Sequence, residues 1–269
     1  GRDDPILLVS GHAYPALLYY APWAHWAGLP SDVTLSTAHT VSYGDASALN
    51  RLVGDARKLW IVRWQADVAD PDHVVKSLVA QRGRQLLQGP DFHGVDVQEY
   101  ELTPGAFSSS PERTHVAVTF GDSVRLVGTD QVPNQPIRAE SGSSIKLTLY
   151  WQAAKTLTVD YRVSLRVRDA AGHEWGAFDA RPAGEFNPAM RWTPGETTSG
   201  VAQIPLRLGT PPGHYLIDAS LYDPSSPQLA KLSATDPAHG SQGASVAIAN
   251  LDVLPSSKAL EPRDLTPAV

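Results

Sequence analysis

Apolar positions in the first hundred residues follow two periods that take turns. Ile6–Ser10 is a solid β-prone run that stops at Ser10-Gly11-His12. Pro15–Trp26 then reads as a helix with proline at its first position. Val33–Leu35 fits a short strand, Asp45–Leu52 a helix closed by Gly54, and Lys58–Gln65 ("KLWIVRWQ") a strand rich in aromatic and β-branched residues. "DPDHVVKSLVAQRG" predicts another helix, with Asp70 as its N-cap, Pro71 next and Gly83 as its stop. Val95–Leu102 alternates like an edge strand. Strands taking turns with helices predict a Rossmann-like, mostly parallel α/β domain over residues 1–105.

Beyond "TPGAFSSSPER" (103–113), a linker by its proline, serine and glycine content, the helical period disappears. Short alternating runs recur at His115–Phe120, Val124–Thr129, Ile145–Gln152, Asp160–Arg168, Glu174–Ala180, Val201–Leu206, His214–Tyr222 and Val246–Leu254. Turn pairs such as Ala171-Gly172, Pro194-Gly195 and Pro212-Gly213 separate them. This spacing predicts an antiparallel β-sandwich, Ig-like or jelly-roll-like, over 114–255, with 256–269 as a flexible tail.

Composition narrows the function classes. A net charge of −6 with no basic block argues against nucleic acid as a partner and against charge-driven docking on anionic lipid. The chain has no cysteine, which removes disulfides, thiolate metal sites and cysteine nucleophiles. No apolar run reaches the roughly 18 residues of a membrane span. A start at Gly-Arg-Asp-Asp and a lone methionine, Met190, suggest a piece of a longer protein.

Motifs for chemistry are incomplete. The Ser10-Gly11-His12 turn has the strand–turn–helix setting of a nucleophile elbow or a dinucleotide loop, but it lacks the second glycine of the first and the glycine triplet of the second. Asp70-Pro71-Asp72 resembles the D-x-D with which nucleotide-sugar transferases hold manganese, and the same residues suit a helix start. The nine histidines form neither H-x-H nor H-E-x-x-H, so neither a metal nor a cofactor is expected. Trp151 is expected in the sandwich core. Trp192, in the loop "NPAMRWTPGE", is the candidate for stacking on a sugar. In an open α/β sheet, ligands gather beyond the carboxyl ends of the strands. There His12, Tyr14, Gln65 and Asp67 would supply polar groups to a sugar, or His12 and Tyr14 would merely satisfy the helix start and pack on the sheet.

The stretches "DPILLVSGHAYPALLYYAP", "LWIVRWQADVADPDHVV", "VTFGDSVRLVG", "IKLTLYWQA", "YRVSLRVRDAAGHEWG" and "PPGHYLIDASLYDP" together resemble the extracytoplasmic C-terminal region of certain bacterial membrane glycosyltransferases. These multi-spanning, polyprenyl-phosphate-sugar-dependent enzymes are related to dolichyl-phosphate-mannose–protein mannosyltransferases. The resemblance implies a transmembrane domain preceding this chain, catalysis located in that domain, and an accessory role for this portion on the extracytoplasmic face. That role would be covering the membrane active site, or binding an acceptor, a glycan, a lipid-linked sugar or a partner. Two other readings stay open: a free-standing carbohydrate-binding protein, and a soluble hydrolase or transferase using the α/β domain.

Overall fold

The computed structural model describes residues 3–32, 34–35, 39–89, 93–110, 114–185, 187–237 and 240–256. The chain forms two compact units, Gly1–Pro111 and Glu112–Val269. The expected short strand at Val33–Leu35 falls partly outside the described residues, as does the expected tail from residue 257 onward. Among the described residues, no helix is long and apolar enough to cross a membrane.

The first unit runs β1 (Ile6–Val9), α1 (Tyr14–Tyr20), β2 (Trp26–Leu29), α2 (Ala46–Val53), β3 (Lys58–Trp64), α3 (Ala66–Ala69), α4 (Val74–Ala80), β4 (Gly83–Gln88) and β5 (Val95–Leu102). Its sheet has the order β2-β1-β3-β5-β4. β1 pairs in parallel with β2 and β3, but β5 is antiparallel to both β3 and β4. The expected Rossmann-like, mostly parallel α/β domain is therefore overturned: the chain is mostly β, and this sheet is mixed. The physical reason lies in the connections. A parallel neighbour needs a crossover of a dozen or more residues; only residues 89–94 join β4 to β5, so β5 returns antiparallel and inserts between β4 and β3.

Helix boundaries also differ from the pattern. The expected Pro15–Trp26 helix stops at Tyr20, just short of Pro22, and Trp26–Leu29 joins the sheet instead. α4 starts at Val74 after a left-handed His73. Asp70 still caps it, by accepting from the Val74 and Val75 N–H groups at 2.6 and 3.1 Å, although it is not the N-cap residue. α2 follows expectation. A capping box between Ser42 and Asp45 precedes it, Leu49, Leu52 and Val53 face the core, and Gly54 at φ 51° ends it.

The segment read as a linker is tied to this unit. Asn50 Nδ2 donates to the Phe107 carbonyl at 2.9 Å, and Phe107 N–H donates to Asn50 Oδ1 at 2.8 Å. Gln81 forms the same two-way pairing with Ser108. The Phe107 side chain is buried, with the Arg82 guanidinium 4.7 Å above its ring.

The second unit is sandwich-like. Its strands are β6 (Thr114–Phe120), β7 (Val124–Thr129), β8 (Ile137–Glu140), β9 (Ser144–Ala153), β10 (Arg162–Arg168), β11 (Glu174–Ala180), β12 (Thr197–Pro205), β13 (Gly213–Tyr222), β14 (Ala234–Asp236), β15 (Gly240–Gly243) and β16 (Val246–Leu254). One sheet has the order β11-β10-β13-β16-β8, and the other β12-β9-β7-β6-β14-β15. The pairings are antiparallel except β16 with β8. A single apolar cluster includes Phe120, Leu126, Trp151, Leu165, Ile217 and Leu251. β13 alternates to feed it: Tyr215 and Ile217 point in, His214 and Leu216 point out.

Two glycines decide whether the parallel half of the first sheet can close. A Cβ on Gly28 would sit 2.6 Å from Gly11 Cα, and one on Gly11 would sit 2.5 Å from the Pro30 carbonyl oxygen. Both obstacles are backbone, so neither can swing aside. Gly28→Ala should lower the unfolding free energy by about 1–3 kcal/mol, as overpacking does. Urea denaturation of the full chain checks this, and a loss below about 0.5 kcal/mol would mean that the two segments separate freely.

Candidate functional site

β1 and β3 leave the first sheet side by side, with Val9 level with Arg63. Both exits are sharp: Ser10 at φ 78° and Gln65 at φ 51° are left-handed, and Ser10 Oγ donates to the Gln65 carbonyl at 3.4 Å. His12 stacks on Trp64 with centroids 5.4 Å apart. Tyr14 turns to the other neighbour and stacks on Trp26 at 5.9 Å, level with the opposite end of β1. Gln65 and Asp67 are exposed at the start of α3. The structure thus brings His12 beside Trp64 and Gln65, and takes Tyr14 toward the start of β2.

Little space remains at this edge. The hollow among Ser10, Gly11, His12, Pro30, Asp32 and His39 measures about 10 Å³. That admits roughly one water molecule. His39 Nδ1 meets Asp32 Oδ1 at 3.2 Å beside it. Gly11, the residue that could have let a ligand approach, is used by the Pro30–Asp32 backbone.

Asp70 is the carboxylate whose environment most resembles that of a catalytic acid. It is 1% exposed, and burial pushes its pKa up to about 7, against the pull of the Val74 and Val75 N–H groups and of Arg63. Its two oxygens are occupied by those N–H groups, so its geometry is that of a helix cap. Among the described residues, no group of three His, Cys, Asp or Glu side chains could hold a metal ion.

Trp192 requires a correction. It is 6% exposed and belongs to the sandwich core, with Nε1 donating to the Asn187 carbonyl at 3.2 Å. Its loop folds back over the sandwich, so neither ring face is offered to a sugar. Trp151 is fully buried, as its strand position predicts.

Ligand-sized space lies on the outer face of the β10–β13–β16 sheet. One hollow of about 440 Å³ is lined by Pro136, Arg168, His214, Leu216, Asn250 and Asp252. A second, of about 260 Å³, is lined by Gln131, Val132, Asn134, Gln135, Leu216 and Asn250. Leu216 and Asn250 line both, so the two adjoin as one groove. Its combined size falls within the range of small-ligand sites. Strand register builds its floor: Leu216 pairs with Arg168 on one side and Asn250 on the other, and His214 pairs with Asp252.

The groove mixes apolar floor and directional edge. Leu216 is 45% exposed and Val132 42% exposed. Carboxamides at Asn134, Gln135 and Asn250 can each donate and accept. Arg168 is held 3.5 Å from Asp218, whose pKa burial raises and Arg168 lowers. His214 Nδ1 meets Asp252 Oδ1 at 2.6 Å, which leaves its other ring nitrogen outward. At the rim, the Trp175 indole bond holds Asp169 down at about 2, with help from the His173 backbone and ring, so it stays anionic. The arrangement suits an uncharged, hydroxyl-rich ligand with some apolar surface. Sequence alternation places the strands His214–Tyr222 and Val246–Leu254 but singles out none of His214, Leu216, Asn250 or Asp252 as site residues. Their convergence depends on register between distant strands, which alternation does not supply.

No protein-family model matches the chain, and no curated protein matches it significantly. Solved structures that overlap it include a Niemann-Pick type C2 protein from the Japanese carpenter ant, 7% identical, covering 53% of this chain and 97% of that one at a TM-score of 0.28. Bacteroides uniformis beta-glucuronidase 2 is 12% identical and overlaps 55% of this chain and 17% of its own length, with a TM-score of 0.24. Superpositions this loose say nothing about ligand or activity.

Asp70 has a measurable signature. Its folded pKa, about 7, lies above the ordinary 3.8, so the folded state holds the proton more tightly than the unfolded chain between those values. The stabilisation is complete below the ordinary value and is lost as pH rises through 7. Thermal stability should therefore fall between pH 5 and pH 8, by at most about 1.4 kcal/mol per pH unit from this group. Asp70→Asn should flatten that part of the profile. Parallel pH profiles of the two proteins would refute the assignment.

Proposed function

We propose that this chain is the non-catalytic extracytoplasmic portion of a polyprenyl-phosphate-sugar-dependent membrane glycosyltransferase, and that its sandwich-like unit holds a glycan acceptor. The observation that carries the glycan part is the groove around Leu216 and Asn250. A saccharide presents C–H faces to apolar side chains and hydroxyls to groups that both donate and accept. Leu216 and Val132 offer the first, and Asn134, Gln135, Asn250 and Arg168 the second. The parent enzyme is suggested by the sequence stretches described above. In that setting the chain would hold the acceptor while chemistry proceeds in the preceding membrane domain. Several apolar spans of about 20 residues upstream in the gene would support this arrangement; a signal peptide alone would favour a free-standing carbohydrate-binding protein using the same groove.

Titration of the chain against an oligosaccharide panel tests the groove. At least one neutral oligosaccharide should bind, and Asn250→Ala should weaken it roughly 3- to 10-fold through loss of one or two hydrogen bonds. Arg168→Ala should weaken it comparably, while His12→Ala, in the other unit, should leave affinity unchanged. Binding to no member of the panel, or affinity indifferent to Asn250 and Arg168, would remove the glycan role.

A further inference from the structure

The first unit carries an exposed aromatic knuckle with an unusual charge environment. From Pro5 through Ser31 the sequence contains no Asp, Glu, Lys or Arg, within a chain of net charge −6. α1, in the middle of this stretch, has no buried residue. Tyr19 is 79% exposed, Tyr20 77% and Trp23 55%. Together these three rings present on the order of 400 Å² of aromatic surface, comparable to the largest patch on a typical monomer. The patch is held in shape. Tyr19 and Tyr20 meet edge to face at 4.9 Å, and the stack of Tyr14 on Trp26 fixes the base of the helix. Pro15 and Pro22 restrain its two ends.

We propose that Tyr19, Tyr20 and Trp23 insert shallowly into the headgroup region of a lipid bilayer. Tyrosine and tryptophan favour that boundary because each has an apolar body and a polar tip. Charge favours the bilayer surface over an acidic or basic partner: an acidic protein approaches lipid phosphates with least repulsion through a segment that carries no carboxylates, and residues 5–31 are such a segment. Restraint by the prolines limits the ordering that contact would require. The contact rests on the membrane-face placement proposed above and is independent of the groove.

The test is flotation of the 269-residue chain with phosphatidylcholine vesicles, alongside the triple variant Tyr19→Ser, Tyr20→Ser, Trp23→Ser. The wild-type chain should float with the vesicles, insensitively to added salt, and brominated lipid should quench part of its tryptophan emission. The triple variant should lose at least tenfold in partitioning while keeping its melting temperature within a few degrees; if it fails to fold, Tyr20→Ser alone should lose partitioning measurably. No flotation, flotation unaffected by the variants, or binding confined to anionic vesicles and abolished by salt would overturn the proposal. So would a self-associating chain that the triple variant renders monomeric without any lipid binding. Asn250→Ala should float like the wild type, so failure here leaves the glycan reading standing, and failure of glycan binding leaves this one standing.

Discussion

A strand buried on one face has no freedom over what its other face displays, and the second unit depends on that constraint. Tyr215, Ile217 and Leu221 must enter the core, so His214, Leu216 and Asp218 must face out. A slip of one residue would bury the polar set and expose the apolar one, which fixes the register firmly. Because β10 and β16 obey the same rule, Arg168 and Asn250 are carried to either side of Leu216. The groove is thus a by-product of core packing, positioned as accurately as the core itself. A bulge between Ile217 and Asp218 marks where the β13–β16 ladder adjusts.

In the first unit the equivalent constraint is backbone proximity. The turn after β1 crosses the end of β2 so closely that both contact residues must lack a side chain. The glycine beside Ser10, which from the sequence could have served a ligand, serves this crossing instead. The neighbouring left-handed Ser10 and Gln65 let the chain leave the sheet abruptly, and farther on Asp70 caps α4 by accepting from the Val74 and Val75 N–H groups. The polar residues at that edge are largely consumed by the architecture.

Strands in the second unit were legible because alternation reports directly on one-sided burial. His115–Phe120, Val124–Thr129 and Glu174–Ala180 match the observed elements to within a residue. The short strands Ile137–Glu140, Ala234–Asp236 and Gly240–Gly243 are too brief to establish a period. The first unit misled for a different reason. "KLWIVRWQ" declares a strand but not the direction of its neighbours, and direction separates a Rossmann-like sheet from the mixed one observed. Gln85 through Gln88 places two leucines in succession across a bulge, which hides the strand altogether. Trp26–Leu29 was hidden behind the apolar run that precedes it. Trp192 shows the limit of composition: a loop full of turn residues can still bury its aromatic ring when a carbonyl, here that of Asn187, receives the indole N–H.

The order of strands in the groove sheet has a consequence for biosynthesis. Among the described residues β16 is the last strand, yet it lies between β13 and β8. Until residues 246–254 leave the ribosome, β8 has no partner in that sheet, and the wall carrying Asn250 and Asp252 does not exist. Nascent or truncated chains therefore have the outer strands without a groove. Occupancy of this surface requires that residues 246–254 have been made and added to the sheet.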